Sequence, residues 1–115
     1  MHEFSIAENL LSLVIKYAKQ NKAKKITKVE IEIGKLSGVE VSCLETAFNA
    51  LKSKTIASQA QFIISLKDIV IICKSCQKES TLEKFIFQCP ICNGFEVEIL
   101  QGNDMILKSI EVEDV

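Results

Sequence analysis

Four cysteines in two pairs, Cys73-Lys74-Ser75-Cys76 and Cys89-Pro90-Ile91-Cys92, constrain this chain more than any other feature; twelve residues separate the pairs. Two residues between the members of a pair let both sulfurs point inward from one tight turn, and four thiolates close a tetrahedral shell around zinc. Iron fits such a shell too, and spacing alone leaves that choice open. A closed shell has no position for water or substrate, so an ion held there is structural. In Cys89-Pro90-Ile91-Cys92-Asn93-Gly94 the proline fixes the turn, and Asn or Gly tolerates the left-handed backbone that such a knuckle needs. The competing reading, disulfides or free core thiols, fits poorly with four cysteines at this spacing in a chain that opens without a secretory signal. The fifth cysteine, Cys43, reads as a small buried hydrophobe near the start of a helix.

The chain has 115 residues, room for one modest core. Ser5 followed by Glu8 has the form of a capping box, so a helix is expected from residue 4 or 5 to about Gln20-Asn21. Its apolar face is Ile6, Leu10, Leu13, Val14, Tyr17 and Ala18. Thr27 to Ile33 alternates strictly and predicts a half-buried strand, ended by a turn at Gly34-Lys35-Leu36-Ser37-Gly38. Ser42 and Glu45 repeat the capping spacing ahead of a second amphipathic helix reaching about Lys52. Ala60 to Leu66 is a further strand, and strand-helix-strand implies a parallel pair. After Asp68 come short β-type runs at Ile69–Cys73, Phe85–Phe87 and Val97–Leu100, interleaved with the cysteines, with Phe85 and Phe87 as core. Met105 to Val112 has strand character and is expected to return to the first sheet.

The expected fold class is therefore α+β: two helices packed on a small mixed three-stranded sheet, with an inserted zinc-ribbon-like domain of short β-strands. On this reading residues 1–67 and 103–115 form one discontinuous domain and residues 68–102 the zinc-binding insertion. That insertion is too small to hold together by apolar burial alone, so a metal supplies much of its folding energy.

A formal net charge of -1 and a pI near 5.9 argue against a nucleic-acid binder, which needs cations to displace counterions from phosphates. Lys22, Lys24, Lys25 and Lys28 do cluster, and their simplest reading is a solvated loop. The longest strongly apolar run, Ile69–Cys73, is too short to span a bilayer. The first twenty residues lack the apolar core and cleavage site of a signal peptide. A cytoplasmic location is expected, with no membrane association. No Gly-rich phosphate loop and no nucleophile elbow is present, so nothing marks an enzyme.

His2 is the only histidine, in the opening triplet Met1-His2-Glu3. The Met1 amine, the backbone nitrogen of His2 and its imidazole can wrap one ion in fused five- and six-membered chelate rings. The backbone nitrogen of Glu3 can complete a plane. A nitrogen-rich square suits Ni(II) or Cu(II), provided Met1 is retained, as a bulky second residue favours. On spacing alone, a frayed terminus with an incidental histidine is the simpler reading.

Taken together these features resemble the HypA/HybF family. They are Met1-His2-Glu3 running into an amphipathic helix, the strand ending Ile33-Gly34-Lys35-Leu36-Ser37-Gly38-Val39-Glu40, the two CxxC pairs, and the tail Gln101-Gly102-Asn103-Asp104 before a strand. The resemblance runs end to end. It implies a nickel metallochaperone for maturation of [NiFe]-hydrogenase, not an enzyme. It also implies work with the GTPase HypB, delivery to the hydrogenase large subunit and, in some bacteria, a role in urease maturation. A monomer or weak homodimer is expected. Ni(II) would be transported at Met1, His2 and Glu3, with an acidic side chain near it at Glu40. Zn(II) would be structural at Cys73, Cys76, Cys89 and Cys92. Some members have histidines beside their cysteine pairs that exchange with cysteine at zinc; this chain has none, so such an exchange cannot occur here. The rival reading is a zinc-ribbon interaction or nucleic-acid-binding module with no nickel role.

Overall fold

A computed structural model describes residues 2–114. Helix α1 (His2–Gln20) is followed by strand β1 (Lys25–Gly34), helix α2 (Val41–Leu51) with a short 3-10 turn at Lys52–Lys54, then β2 (Gln61–Lys67), β3 (Ile69–Cys73), β4 (Glu79–Leu82), β5 (Val97–Gln101) and β6 (Met105–Glu113). The strands form two three-stranded sheets, ordered β2-β1-β6 and β4-β3-β5. In the first, the N–H of Ile26 donates to Ile56 and that of Lys35 to Lys67, so β1 and β2 advance together. The N–H of Lys24 donates to Glu113 and that of Gly34 to Asp104, so β6 runs against β1. The sheet is mixed, and the two-helix α+β class holds.

The chain divides into two compact units. The first comprises the chain up to Ile31, Val39–Ser65, and the chain from Leu107 onward; the second is Glu32–Gly38 with Leu66–Ile106.

In the first unit the apolar stripe of α1 (Ala7, Leu10, Leu11, Val14 and Ala18) is buried, as are Leu44 and Phe48 of α2 and Ile26, Val29 and Ile31 of β1. These positions recur at helical spacing in the helices and at every second residue from Val29 along β1, the periods that put one face inward. The Phe48 ring stacks on Phe62 of β2 with centroids 4.1 Å apart, pinning α2 to the sheet. Two helix starts differ from the sequence reading. α1 begins at His2, not at Ser5, and places the acidic Glu3 in its first turn, where the helix dipole favours a carboxylate. α2 is capped by Glu40, not Ser42: the Glu40 side chain accepts from the Ser42 N–H at 3.3 Å and the Ser42 hydroxyl at 2.7 Å.

In the second unit β3 is central, antiparallel to both β4 and β5. Its core is small: Ile69, Ile71 and Leu82, with Leu36 and Val97 packed against them. β4 is a strand where none was expected, and Phe85–Phe87, expected as a strand, is irregular. Phe85 is 67% exposed, so it is not core, and Phe87 is exposed as well. Gly34 and Gly102 meet backbone to backbone: the Leu36 N–H donates to the Gly102 carbonyl at 2.7 Å, and a Cβ on Gly34 would run into that carbonyl.

Candidate metal centre

The four cysteines converge although they come from two loops. Their sulfurs all lie within 4.8 Å of one another. Cys73 Sγ is 3.5 Å from Cys92 Sγ, and Cys76 Sγ is 3.7 Å from Cys89 Sγ. Neither pair is a disulfide. Thiolates at a Zn–S length of about 2.3 Å in a tetrahedron stand about 3.8 Å apart, so both cross-pair separations fit a tetrahedral thiolate site.

Two similar knuckles build the cluster. In the first, the Cys73 N–H donates to the Lys78 carbonyl and the Gln77 N–H to the Cys73 carbonyl, at 3.0 and 2.8 Å. In the second, the Cys89 N–H donates to Gly94 and the Asn93 N–H to the Cys89 carbonyl, at 2.8 and 2.9 Å. The left-handed residue falls four places after the leading cysteine in each: Gln77 at φ 61° and Asn93 at φ 64°. Asn93 meets the sequence expectation; Gln77 is a residue type that gave no hint of it. Gly94 is needed for space, since a Cβ there would sit 3.3 Å from Cys92 Sγ and 3.6 Å from Ser75 Oγ.

Backbone N–H groups aim at the sulfurs. Those of Ile91 and Cys92 lie 3.4 and 3.5 Å from Cys89 Sγ. The Cys76 N–H outweighs burial at Cys73 and, helped by the Cys92 thiol and the Ser75 N–H, brings the Cys73 thiol down to about 6. The Cys92 N–H, then that of Ile91, lowers Cys89 in the same way. At Cys92 the Gly94 N–H pulls downward, but the Cys73 thiol, burial and the remaining thiols outweigh it and push the group up to about 11. Without metal the cluster thus holds thiolate and thiol side by side, a charge distribution that a divalent ion resolves by taking all four as thiolates.

At the other candidate site, Met1 lies outside the described residues. His2 is exposed at the start of α1. The Glu3 carboxylate accepts the Glu40 N–H at 3.0 Å. That bond, and then Glu3's own N–H, holds the Glu3 carboxyl below its ordinary value. Two residues assigned to one site from the sequence, Glu3 and Glu40, are therefore in direct contact, with the Glu40 carboxylate turned to capping α2. Cys43 is exposed, not buried: it lies one turn into α2, on the side that lines a groove with Glu3 and Phe4. Among the described residues no helix is long and apolar enough to cross a membrane.

The chain matches over residues 1–112 the family model described as "Hydrogenase/urease nickel incorporation, metallochaperone, hypA". It belongs to the HypA family. HypA is a metallochaperone family, not a family of catalysts. The hydrogenase maturation factor HypA of Aquifex aeolicus is 47% identical over 113 residues, 98% of each chain. That of Shewanella oneidensis is 42% identical over 98% of this chain and 96% of its own. A solution structure of the Ni metallochaperone HypA from Helicobacter pylori superposes with a TM-score of 0.70 at 29% identity, covering 96% of this chain and 97% of that one.

Proposed function

We propose that this HypA family member carries Ni(II) on its first residues and passes it to the large subunit of [NiFe]-hydrogenase, together with the GTPase HypB, while Zn(II) on Cys73, Cys76, Cys89 and Cys92 holds the second unit. Urease maturation is a second destination consistent with the family description. Residues 68–102 act as the zinc domain, and residues 1–67 with 103–115 as the nickel domain.

The observation that carries the nickel reading is the start of α1 at His2. The first N–H groups of a helix have no backbone partner within it, and that of Glu3 answers only to its own carboxylate, so those of His2 and Glu3 can be given up to a metal without breaking the helix. A cation is disfavoured at the positive end of a helix. Ni(II) bound by two deprotonated amides enters as a neutral unit, which removes that objection. The imidazole of His2 and the Met1 amine complete the nitrogen plane. Glu3, held by Glu40, fixes the first turn beneath it. Protonation of the imidazole or amine, or a partner drawing the terminus away, releases the ion.

Zinc suits the four cysteines: the cross-pair sulfur separations fit its bond length, and a closed shell of thiolates is the form its structural sites take. When bound, zinc supplies cross-linking energy to a unit whose own core is three side chains deep.

Metal analysis of untagged protein, before and after addition of nickel, tests the reading. Zinc present from the outset and nickel gained only on addition are expected. A protein that takes up no nickel with a free, unmodified Met1 contradicts the carrier role.

A further inference from the structure

No acidic residue occurs between Glu8 and Glu30, whereas six of the fourteen lysines fall in that interval, at Lys16, Lys19, Lys22, Lys24, Lys25 and Lys28. The rest of the chain more than offsets them, giving a net charge of -1. The structure decides which of the six form a free surface. Lys28 is neutralised by Glu111 at 3.0 Å. Lys24 and Lys25 make no ion pair among the described residues, but the backbone N–H of Lys24 donates to the Glu113 carbonyl, which brings the acidic end of β6 alongside the start of β1 and sets these two apart from α1. Lys16, Lys19 and Lys22 are exposed and make no ion pair among the described residues.

These three sit together at the end of α1. Lys16 and Lys19 are three residues apart on one helix face and rim a groove of ≈ 550 Å³ whose other walls are Ser12, Ile15 and Gln20. On the adjoining stripe Leu13 and Tyr17, four apart, are 37% and 41% exposed. The helix ends with Lys22 at φ 58°, bracketed by the Lys22 N–H to Lys19 and the Ala23 N–H to Ala18. That left-handed position suits glycine, yet a cation occupies it. Interaction with the helix dipole accounts for Lys19 in the last turn, but not for Lys22 beyond it.

We infer that the C-terminal face of α1 is a docking surface for a short acidic protein segment that also carries apolar side chains. Positive charge at Lys16, Lys19 and Lys22 complements Asp and Glu, and the exposed Leu13 and Tyr17 with the half-buried Ile15 give apolar residues a place to lie. A nucleic acid fits less well. The cationic run is short, and a chain of net charge -1 gives an extended polyanion no wider basic surface.

The test uses full-length protein and a fluorescein-labelled peptide of Asp-Glu-Leu repeats, read by fluorescence anisotropy. The variant combines Lys16→Gln, Lys19→Gln and Lys22→Gly. Both glutamines keep an exposed helix former, and glycine relieves the left-handed backbone, so the variant is expected to fold, with far-UV circular dichroism as the check. Wild type should bind the peptide, more weakly as salt rises. The variant should bind roughly tenfold more weakly. A control with Lys54→Gln, Lys74→Gln and Lys84→Gln, which loses the same charge elsewhere, should bind like wild type. Absence of binding by wild type, equal loss in the control, or unchanged binding by the variant would overturn the inference. So would tighter binding of an oligo-dT strand or of phosphatidylserine vesicles than of the peptide.

Discussion

The backbone N–H of Glu40 donates to the carboxylate of Glu3 at 3.0 Å, joining the first turn of α1 to the residue that caps α2. One acidic side chain thereby ties together two segments thirty-seven residues apart. It does so at the residue next to the only histidine. The bond fixes Glu3 in the first turn of α1, beneath the site proposed for nickel.

This contact should have a pH signature. The Glu3 carboxyl is held below its ordinary 4.5 by the Glu40 N–H, so its ionised form is favoured in the folded protein. A depressed carboxyl contributes stability above the unfolded value, and that contribution is lost as pH falls through the folded one. Thermal melts of wild type and Glu3→Gln should differ at neutral pH and converge as the pH drops below 4.5. The side chain is exposed, so the difference will be small. A gap that persists unchanged in acid would place its origin elsewhere.

Metal binding at the cysteines should release protons. At neutral pH the Cys73 thiol, near 6, is largely ionised, whereas Cys92, pushed up to about 11, is not. Zinc takes thiolates, so at least the Cys92 proton must leave as it binds. A zinc titration of apoprotein in weakly buffered solution with an indicator dye should show acidification, and lowering the pH should expel the metal. Cys89→Ser should lose zinc and leave the amides of β3, β4 and β5 unprotected against hydrogen exchange. Retained protection in that variant would mean the small core of Ile69, Ile71 and Leu82 suffices without metal.

Gly34→Ala should be among the most damaging single substitutions outside the cysteines. The added methyl would collide with the backbone of Gly102, not with a flexible side chain, so relief requires the strands to part. A loss of about 3 kcal/mol or more is expected in urea unfolding. Gly38→Ala has open space around it and only its positive φ against it, so about 1 kcal/mol is expected there.

Periodicity made much of the fold legible. The spacing of Leu10, Val14 and Ala18, and of Val29, Ile31 and Ile33, reports burial because each pattern matches one backbone period, but Leu13 and Tyr17, read onto the same helix face, are exposed, and Ala7 and Leu11 are buried in their place. The cysteine cluster was legible because its chemistry demands the spacing. What was not legible depends on neighbours. Glu79-Ser80-Thr81-Leu82 is short and polar, and it becomes β4 only by pairing with β3. Phe85-Ile86-Phe87 has strand composition, but it pairs with no strand and lies exposed, outside the small core of Ile69, Ile71 and Leu82. Cys43 looked like core because a small thiol near a helix start usually is; the packing of α2 turns it outward. Glu40 rather than Ser42 caps α2, since either side chain can accept from N–H groups of the first turn and only the approach of the chain chooses between them.

Nickel titration of untagged wild type beside untagged His2→Ala, with zinc measured in the same samples, addresses the nitrogen cage at the chain's beginning. Wild type should bind one Ni(II) with the visible absorption of a planar nitrogen complex. His2→Ala should lose that absorption and specific uptake while keeping its zinc and its circular dichroism spectrum. Undiminished nickel affinity in His2→Ala would show that the ion is held somewhere other than the opening residues.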